Sequence, residues 1–206
     1  LLDLNRVVSS RDVGVRADGP IPVGREGLLR YGFMVGNNEG VFPEEDRQKR
    51  LYAQVQAFPT EALRAAVGVT VADYADERTD ERALFGVLGY VTDAWRVGVE
   101  GYLHDVGYDG APHLSGVGVS VFGAVSLMES LEAVARFDRA SAEAFAEDGR
   151  PVPDSPVDTA YTTLALVGLS YAPIPALHLT PNLRWARTDG LDEADFLARF
   201  TVDFSF

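Results

Sequence analysis

The chain has 206 residues, 47% hydrophobic and 24% charged, and a formal net charge of −13 with Lys49 as its one lysine. That balance excludes a nucleic-acid binder, which needs basic surface to neutralise phosphates. The lack of cysteine excludes disulfide staples, thiol nucleophiles and cysteine-based zinc sites, and no apolar run approaches the roughly eighteen residues of a membrane-spanning helix.

Leu1–Ser10 has neither the basic start nor the continuous apolar core of a signal peptide. Arg11–Asp18 then opens a series of strand-like runs: Val13, Val15 and Ala17 alternate with Asp12, Gly14, Arg16 and Asp18, the period-two pattern of a strand. Gly19–Gly27 is rich in Gly and Pro, as turns are. Leu29, Tyr31, Phe33 and Val35 alternate with Arg30, Gly32, Met34 and Gly36. After the polar stretch Asn37–Lys49, Leu51, Ala53, Val55 and Ala57 alternate with Tyr52, Gln54, Gln56 and Phe58. Only Pro59–Ala62 separates this run from the next, Leu63–Ala72, so the two form an antiparallel hairpin.

The second half repeats the arrangement. Acidic Asp73–Glu81 leads to Arg82–Val91, whose two faces are both apolar, and Thr92–Ala94 connects it to Trp95–His104. Asp105–Leu114 is the next long connection, and Val117, Val119, Val121, Val125 and Leu127 then oppose Gly116, Gly118, Ser120, Phe122, Ala124 and Ser126. Met128–Ser130 is a tight turn before Leu131–Arg139; Ala140–Asp158 is the longest loop. Tyr161–Tyr171, the turn Ala172–Ala176, Leu177–Arg187 and the loop Thr188–Ala194 lead to the closing run Asp195–Phe206. There Phe196, Ala198, Phe200, Val202, Phe204 and Phe206 share one face. The alternation predicts about eleven strands.

Met128–Asp148 has a helical rival, since Leu131, Val134, Ala135, Asp138, Ala142 and Phe145 make a fair helical face. Loop rhythm decides against it. With Leu131–Arg139 as a strand, every short connection falls at one end and every long acidic loop at the other, leaving a helical turn only within Ser141–Gly149. Short turns on one side and long loops on the other are the pattern of an outer-membrane barrel, whose roughly ten-residue strands are tilted by about 40°. Trp95, Tyr161, Tyr171 and Trp185, near run ends, fit its interfacial girdles.

The fold expected is therefore all-β: an antiparallel up-and-down transmembrane β-barrel, with residues 1–206 as one domain in the bacterial outer membrane. The closing strand, ending on Phe206, resembles those whose terminal aromatic is read by that membrane's assembly machinery. An odd strand count that starts outside points to an N-terminally truncated fragment, with Leu1–Val8 as a possible twelfth strand.

The succession SRDVGVRADGPIP, LLRYGFMVGNNEGV and DRQKRLYAQVQAFP resembles the central part of the phosphate-selective porin O and P family. LEAVARFDR, YAPIPALHLTPNLRW and ARFTVDFSF resemble C-terminal strands of the same broad group. The resemblance implies part of a larger barrel of roughly sixteen to eighteen strands, commonly trimeric, that passes anions. The chain departs from phosphate-selective members in having almost no lysine.

By parity, the inward set holds seven arginines, Arg16, Arg30, Arg64, Arg96, Arg136, Arg184 and Arg199, against six acids, Asp12, Asp18, Glu100, Glu132, Asp138 and Asp203. Arg16, Arg30, Arg64, Arg96, Glu100, Arg136, Arg184 and Arg199 are the candidate pore-lining residues. Facing arginines and acids either set up a field across a water-filled pore or pair with one another and solvate its wall. The outer loops carry acids, Asp80 and Glu81 among them, that form a solvated surface or bind divalent cations bridging lipopolysaccharide. The function expected is a passive, non-enzymatic porin for small hydrophilic solutes, anion-biased, without cofactor or metal. Its expected partners are outer-membrane lipid, lipopolysaccharide, small hydrophilic or anionic solutes and further copies of itself in a trimer. Two alternatives stand beside it. A lipase-like barrel enzyme would need Ser and His at matching height facing the lipid, whereas His104 and His178 read as inward; a closed barrel would act as a structural or adhesion platform.

Overall fold

The computed structural model describes residues 13–37, 48–73, 78–108, 113–145, 163–174, 176–188 and 194–204. They form eleven strands: β1 Gly14–Ile21, β2 Leu29–Gly36, β3 Arg50–Ala57, β4 Leu63–Asp73, β5 Arg78–Val91, β6 Trp95–Tyr108, β7 His113–Met128, β8 Leu131–Phe145, β9 Thr163–Ile174, β10 Leu177–Arg187 and β11 Ala194–Phe204. Each is paired with its sequence neighbours, so one sheet runs from β1 to β11 without a crossover, every pairing antiparallel. The up-and-down meander expected from the hairpin rhythm is the architecture found.

One parity of the sheet is exposed and apolar. Phe200 is 64% exposed, Leu183 61% and Val67 51%, and Phe33, Val97, Val119, Val121 and Val202 are exposed with them. The buried residues, among them Ala72, Ala83, Tyr102, Ala140 and Leu164, lie on the other parity, which also carries buried Arg50, Thr70, Glu81, Ser120 and Asp138. A sheet that curves as barrels do crowds side chains on its concave side and spreads them on its convex side. The apolar convex face faces lipid, the reverse of a soluble protein.

The convex apolar series ends at a polar residue on strand after strand: Arg82 on β5, Asp105 on β6, Ser115 on β7, Arg139 on β8, Thr163 on β9 and Arg187 on β10. On β9 the series runs Tyr171, Leu169, Val167, Ala165 before Thr163. Eight steps of about 3.3 Å, tilted by about 40°, cover roughly 20 Å, close to the apolar band of about 25 Å in outer-membrane barrels. At the short-turn end Tyr90 and Trp95 stack with ring centroids 5.2 Å apart, as girdle residues do; Tyr161 lies outside the described residues.

Several strands run further than their hydropathy predicts. β5 starts at Arg78, β6 extends to Tyr108, β7 starts at His113 and β8 extends to Phe145. Beyond the apolar band neither face needs apolar residues, so the alternation fades while backbone pairing continues, as in His113↔Phe145. The helical turn expected within Ser141–Gly149 is accordingly strand as far as Phe145, and 146–149 lie outside the described residues. At the other end of the chain β1 continues through Gly19 and Pro20 to Ile21, against the turn expected there. Pro20 lacks an N–H, but among the described residues β1 pairs only with β2, so one side of the strand needs no donor. Pro181 shows the interior counterpart: the β9–β10 pairing passes over Thr180 and Pro181, while the β10–β11 ladder is continuous.

The concave face is levelled by glycine–aromatic pairs. Phe85 lies over Gly68, Phe122 over Gly98 and Tyr102 over Gly118, each the direct cross-strand partner. A Cβ at any of these glycines would overlap the ring, so the aromatic supplies the packing that glycine lacks. This explains why both faces of β5 look apolar in sequence. Gly68→Ala is expected to cost about 1 kcal/mol or more by forcing the ring aside, and Phe85→Leu should recover part of that cost in the double variant. Urea midpoints of the four proteins in a double-mutant cycle check the coupling.

Candidate functional site

Three strands build the charged cluster at the long-loop end of the concave face. Arg50 opens β3, Glu81 lies in β5 and His104 in β6. Arg50 and Glu81 are both register partners of Ala72 on the intervening β4, whose small methyl lets the guanidinium cross that strand. The β5–β6 register slips between Arg78 and Asp80, just before Glu81; such an irregularity twists a strand and re-aims the side chain beside it.

Arg50 Nη2 donates to Glu81 Oε2 at 2.8 Å and Nη1 to Oε1 at 3.3 Å. The planar fork of the guanidinium matches the two carboxylate oxygens, which fixes the carboxylate plane. His104 sits opposite Ala83, one inward position from Glu81, and its Nε2 lies 3.0 Å from Glu81 Oε1. An ionised carboxylate only accepts, so Nε2 carries a proton toward Glu81, and in the neutral imidazole Nδ1 is then the nitrogen left as acceptor. The Arg50 and Glu81 side chains are almost fully buried, while that of His104 is 18% exposed. In the adjoining row Tyr52, Thr70, Ala83 and His104 are consecutive register partners. Thr70 Oγ1 is buried there and has no hydrogen-bond partner among the described residues.

A second cluster lies nearer mid-strand. Ser120 Oγ donates to Asp138 Oδ1 at 2.5 Å, and Arg136 Nε donates to both oxygens of the same carboxylate at 2.8 and 3.0 Å. Ser120 and Asp138 are fully buried. Ser120 is in register with Glu100, whereas His104 pairs with Gly116. Four residues of strand, about 13 Å, therefore separate Ser120 from His104, too far for a Ser–His dyad. His178 pairs with Asp203 on β11, away from both clusters.

All eight candidate pore-lining residues fall on the concave parity, but the structure does not gather them into an arginine surplus. Arg16 and Arg30 converge on Asp18, at 3.2 and 3.4 Å. Arg96 Nη2 meets Glu132 at 2.5 Å across β7, and Arg136 is held by Asp138. Arg64 faces Gly89, Glu100 faces Ser120, Arg184 lies between Leu166 and Leu197, and Arg199 pairs with Asn182. The cluster around His104 lies outside the candidate pore-lining set, since Arg50 falls between two runs and Glu81 at the end of the acidic stretch Asp73–Glu81. Both were within reach of the parity rule, since Arg50 continues Tyr52, Gln54 and Gln56, and Glu81 continues Ala83 and Phe85.

No protein-family model matches the chain, and no curated protein does. Five solved chains match. One is described as outer-membrane expressed OmpT of Vibrio cholerae, 12% identical, with a TM-score of 0.64 over 92% of this chain and 64% of that one. The fold is that of an outer-membrane β-barrel. The outer membrane, expected from the sequence, is the location that goes with it. LpxR from Salmonella typhimurium also matches, at 12% identity over 94% of this chain and 88% of that one, with a TM-score of only 0.31. The chain spans just under two thirds of the OmpT chain it matches.

The expectation of a passive, anion-biased porin without catalytic activity is corrected here. The OmpT likeness supplies the outer-membrane barrel fold, and no family model supports the phosphate-selective porin family. Four of the seven inward arginines are tied to acids, Arg16 and Arg30 to Asp18, Arg96 to Glu132 and Arg136 to Asp138. What the wall carries instead is a histidine oriented by a buried carboxylate, which favours the barrel enzyme set beside the porin at the outset.

Proposed function

We propose that the chain forms the wall of an outer-membrane barrel enzyme, with His104 as its general base. The observation that carries this reading is the Arg50–Glu81–His104 array, in which a guanidinium fixes a carboxylate and the carboxylate fixes an imidazole. With Nε2–H held by Glu81, Nδ1 can take a proton from a water attacking a bound ester or amide. Water is the nucleophile because Ser120 is remote and committed to Asp138. Since His104 is on the concave face, substrate arrives from the long-loop mouth and not from the lipid side, so the site differs from the lipid-facing dyad of the lipase-like alternative.

The protein, folded in detergent micelles, is assayed against acyl esters and labelled peptides. His104→Gln is expected to lower turnover by about 10²- to 10⁴-fold, the usual contribution of a general base, while the folded form persists. Wild-type protein that turns over neither class, or activity untouched by the substitution, sinks the proposal. A closed platform is then the reading left, and the ring-over-glycine packing of the concave face is the observation that favours it.

A further inference from the structure

On the concave face toward the short-turn end, β6 to β9 carry a pocket that lies outside the His104 array. Arg136 has Phe122 and Leu166 as its register partners, and one pleat nearer the short turns Ala124 lies between its partners Arg96 and Val134. These six residues border a hollow of about 280 Å³. Drug-sized sites take roughly 300–1,000 Å³, so this one suits a single ring system. Phe122 is six residues of β7 from Gly116, the register partner of His104, a separation of about 20 Å along the strand.

The pocket sets an apolar floor beside two guanidinium groups whose edges are already engaged. Ala124, Val134 and Leu166 supply the floor, and the small Ala124 gives it depth. The ring of Phe122 leans over Gly98, away from β8, and is 38% exposed although it lies on the concave parity. Arg96 Nη2 donates to Glu132 and Arg136 Nε to Asp138, yet neither carboxylate borders the pocket. The committed edges therefore point elsewhere. Hydrogen bonds hold a guanidinium in its own plane and leave its faces to stack on π-systems. With 55% of the Arg96 side chain exposed, such a face is open to a ligand.

We infer that this pocket binds the flat ring of an uncharged aromatic molecule, held against Phe122 and the guanidinium faces of Arg96 and Arg136 above the floor of Ala124 and Val134. A saturated ring of the same size gains the apolar burial but not the stacking, so the site selects π character and not hydrophobicity alone. An anion gains little, since both arginines already hold acids.

The test uses the whole chain in detergent micelles with para-fluorophenol as the probe. Fluorine NMR line widths, corrected with protein-free micelles, report its binding, and displacement by phenol is compared with displacement by cyclohexanol. Phenol is expected to displace the probe at about fivefold lower concentration. Ala124→Phe, which fills the floor, should abolish the broadening. Arg96→Lys keeps a charge for Glu132 but has no planar face, and should weaken binding about threefold. Equal displacement by phenol and cyclohexanol overturns the inference and leaves a plain apolar hollow. Binding unchanged in Ala124→Phe also overturns it, because the probe then sits elsewhere, and binding unchanged in Arg96→Lys does so by removing the stacking. Should either variant fail to fold, the ratio of phenol to cyclohexanol on the unsubstituted protein decides. None of these readouts depends on turnover at His104.

Discussion

Replacing Glu81 by Ala is expected to destabilise the sheet by about 3–5 kcal/mol, the usual cost of stranding one partner of a buried ion pair. Arg50 lies on the concave face with little exposure and its fork on that carboxylate, so the substitution leaves a guanidinium desolvated and His104 without its orienting acceptor. Glu81→Gln retains the shape and one acceptor oxygen and should cost less. Unfolding in urea, followed by the loss of the compact electrophoretic form, measures both. An Ala variant as stable as the parent would mean that the array does not hold β3 to β5.

Val121→Arg is expected to cost about 2–4 kcal/mol, because the site lies mid-strand on the convex apolar series of β7, where a charge meets the bilayer midplane. Val125→Arg, two outward positions nearer the short-turn end, should cost about 1 kcal/mol or less. The depth dependence is the diagnostic: both residues are exposed, and exposure to water would make the two substitutions equally mild. Refolding yield and urea midpoints in lipid vesicles give the comparison, and equal small effects would remove the lipid from the convex face.

The faces were legible because the bilayer imposes them: a strand crossing it presents apolar residues outward at every second position, and Phe196 to Val202 or Val117 to Val125 show that pattern without help from context. Strand ends were not, since at Arg78, Tyr108 and Phe145 pairing persists where the bilayer no longer dictates residue type. The pairing of Arg16 with Asp18 was open to the same rule, being two residues apart on one face. Arg50–Glu81 and Arg96–Glu132 were not, because their contacts reach across an intervening strand and depend on two registers at once. His104 adds a third register, that of β5 on β6, which slips beside Arg78, an irregularity that hydropathy does not mark.

The sequential strand order bears on how such a surface can diversify. Among the described residues every ladder joins neighbours in the chain, so their pairing does not depend on the length of a connection at the long-loop end. By loop-closure entropy, each doubling of a connection's length costs only about 0.6 kcal/mol. The two-residue turn Glu129–Ser130 sets the register of β7 on β8 and has no such freedom. Insertion or deletion on the long-loop side of the membrane therefore leaves the ladders of the wall, and the arginine, glutamate and histidine they carry, in register.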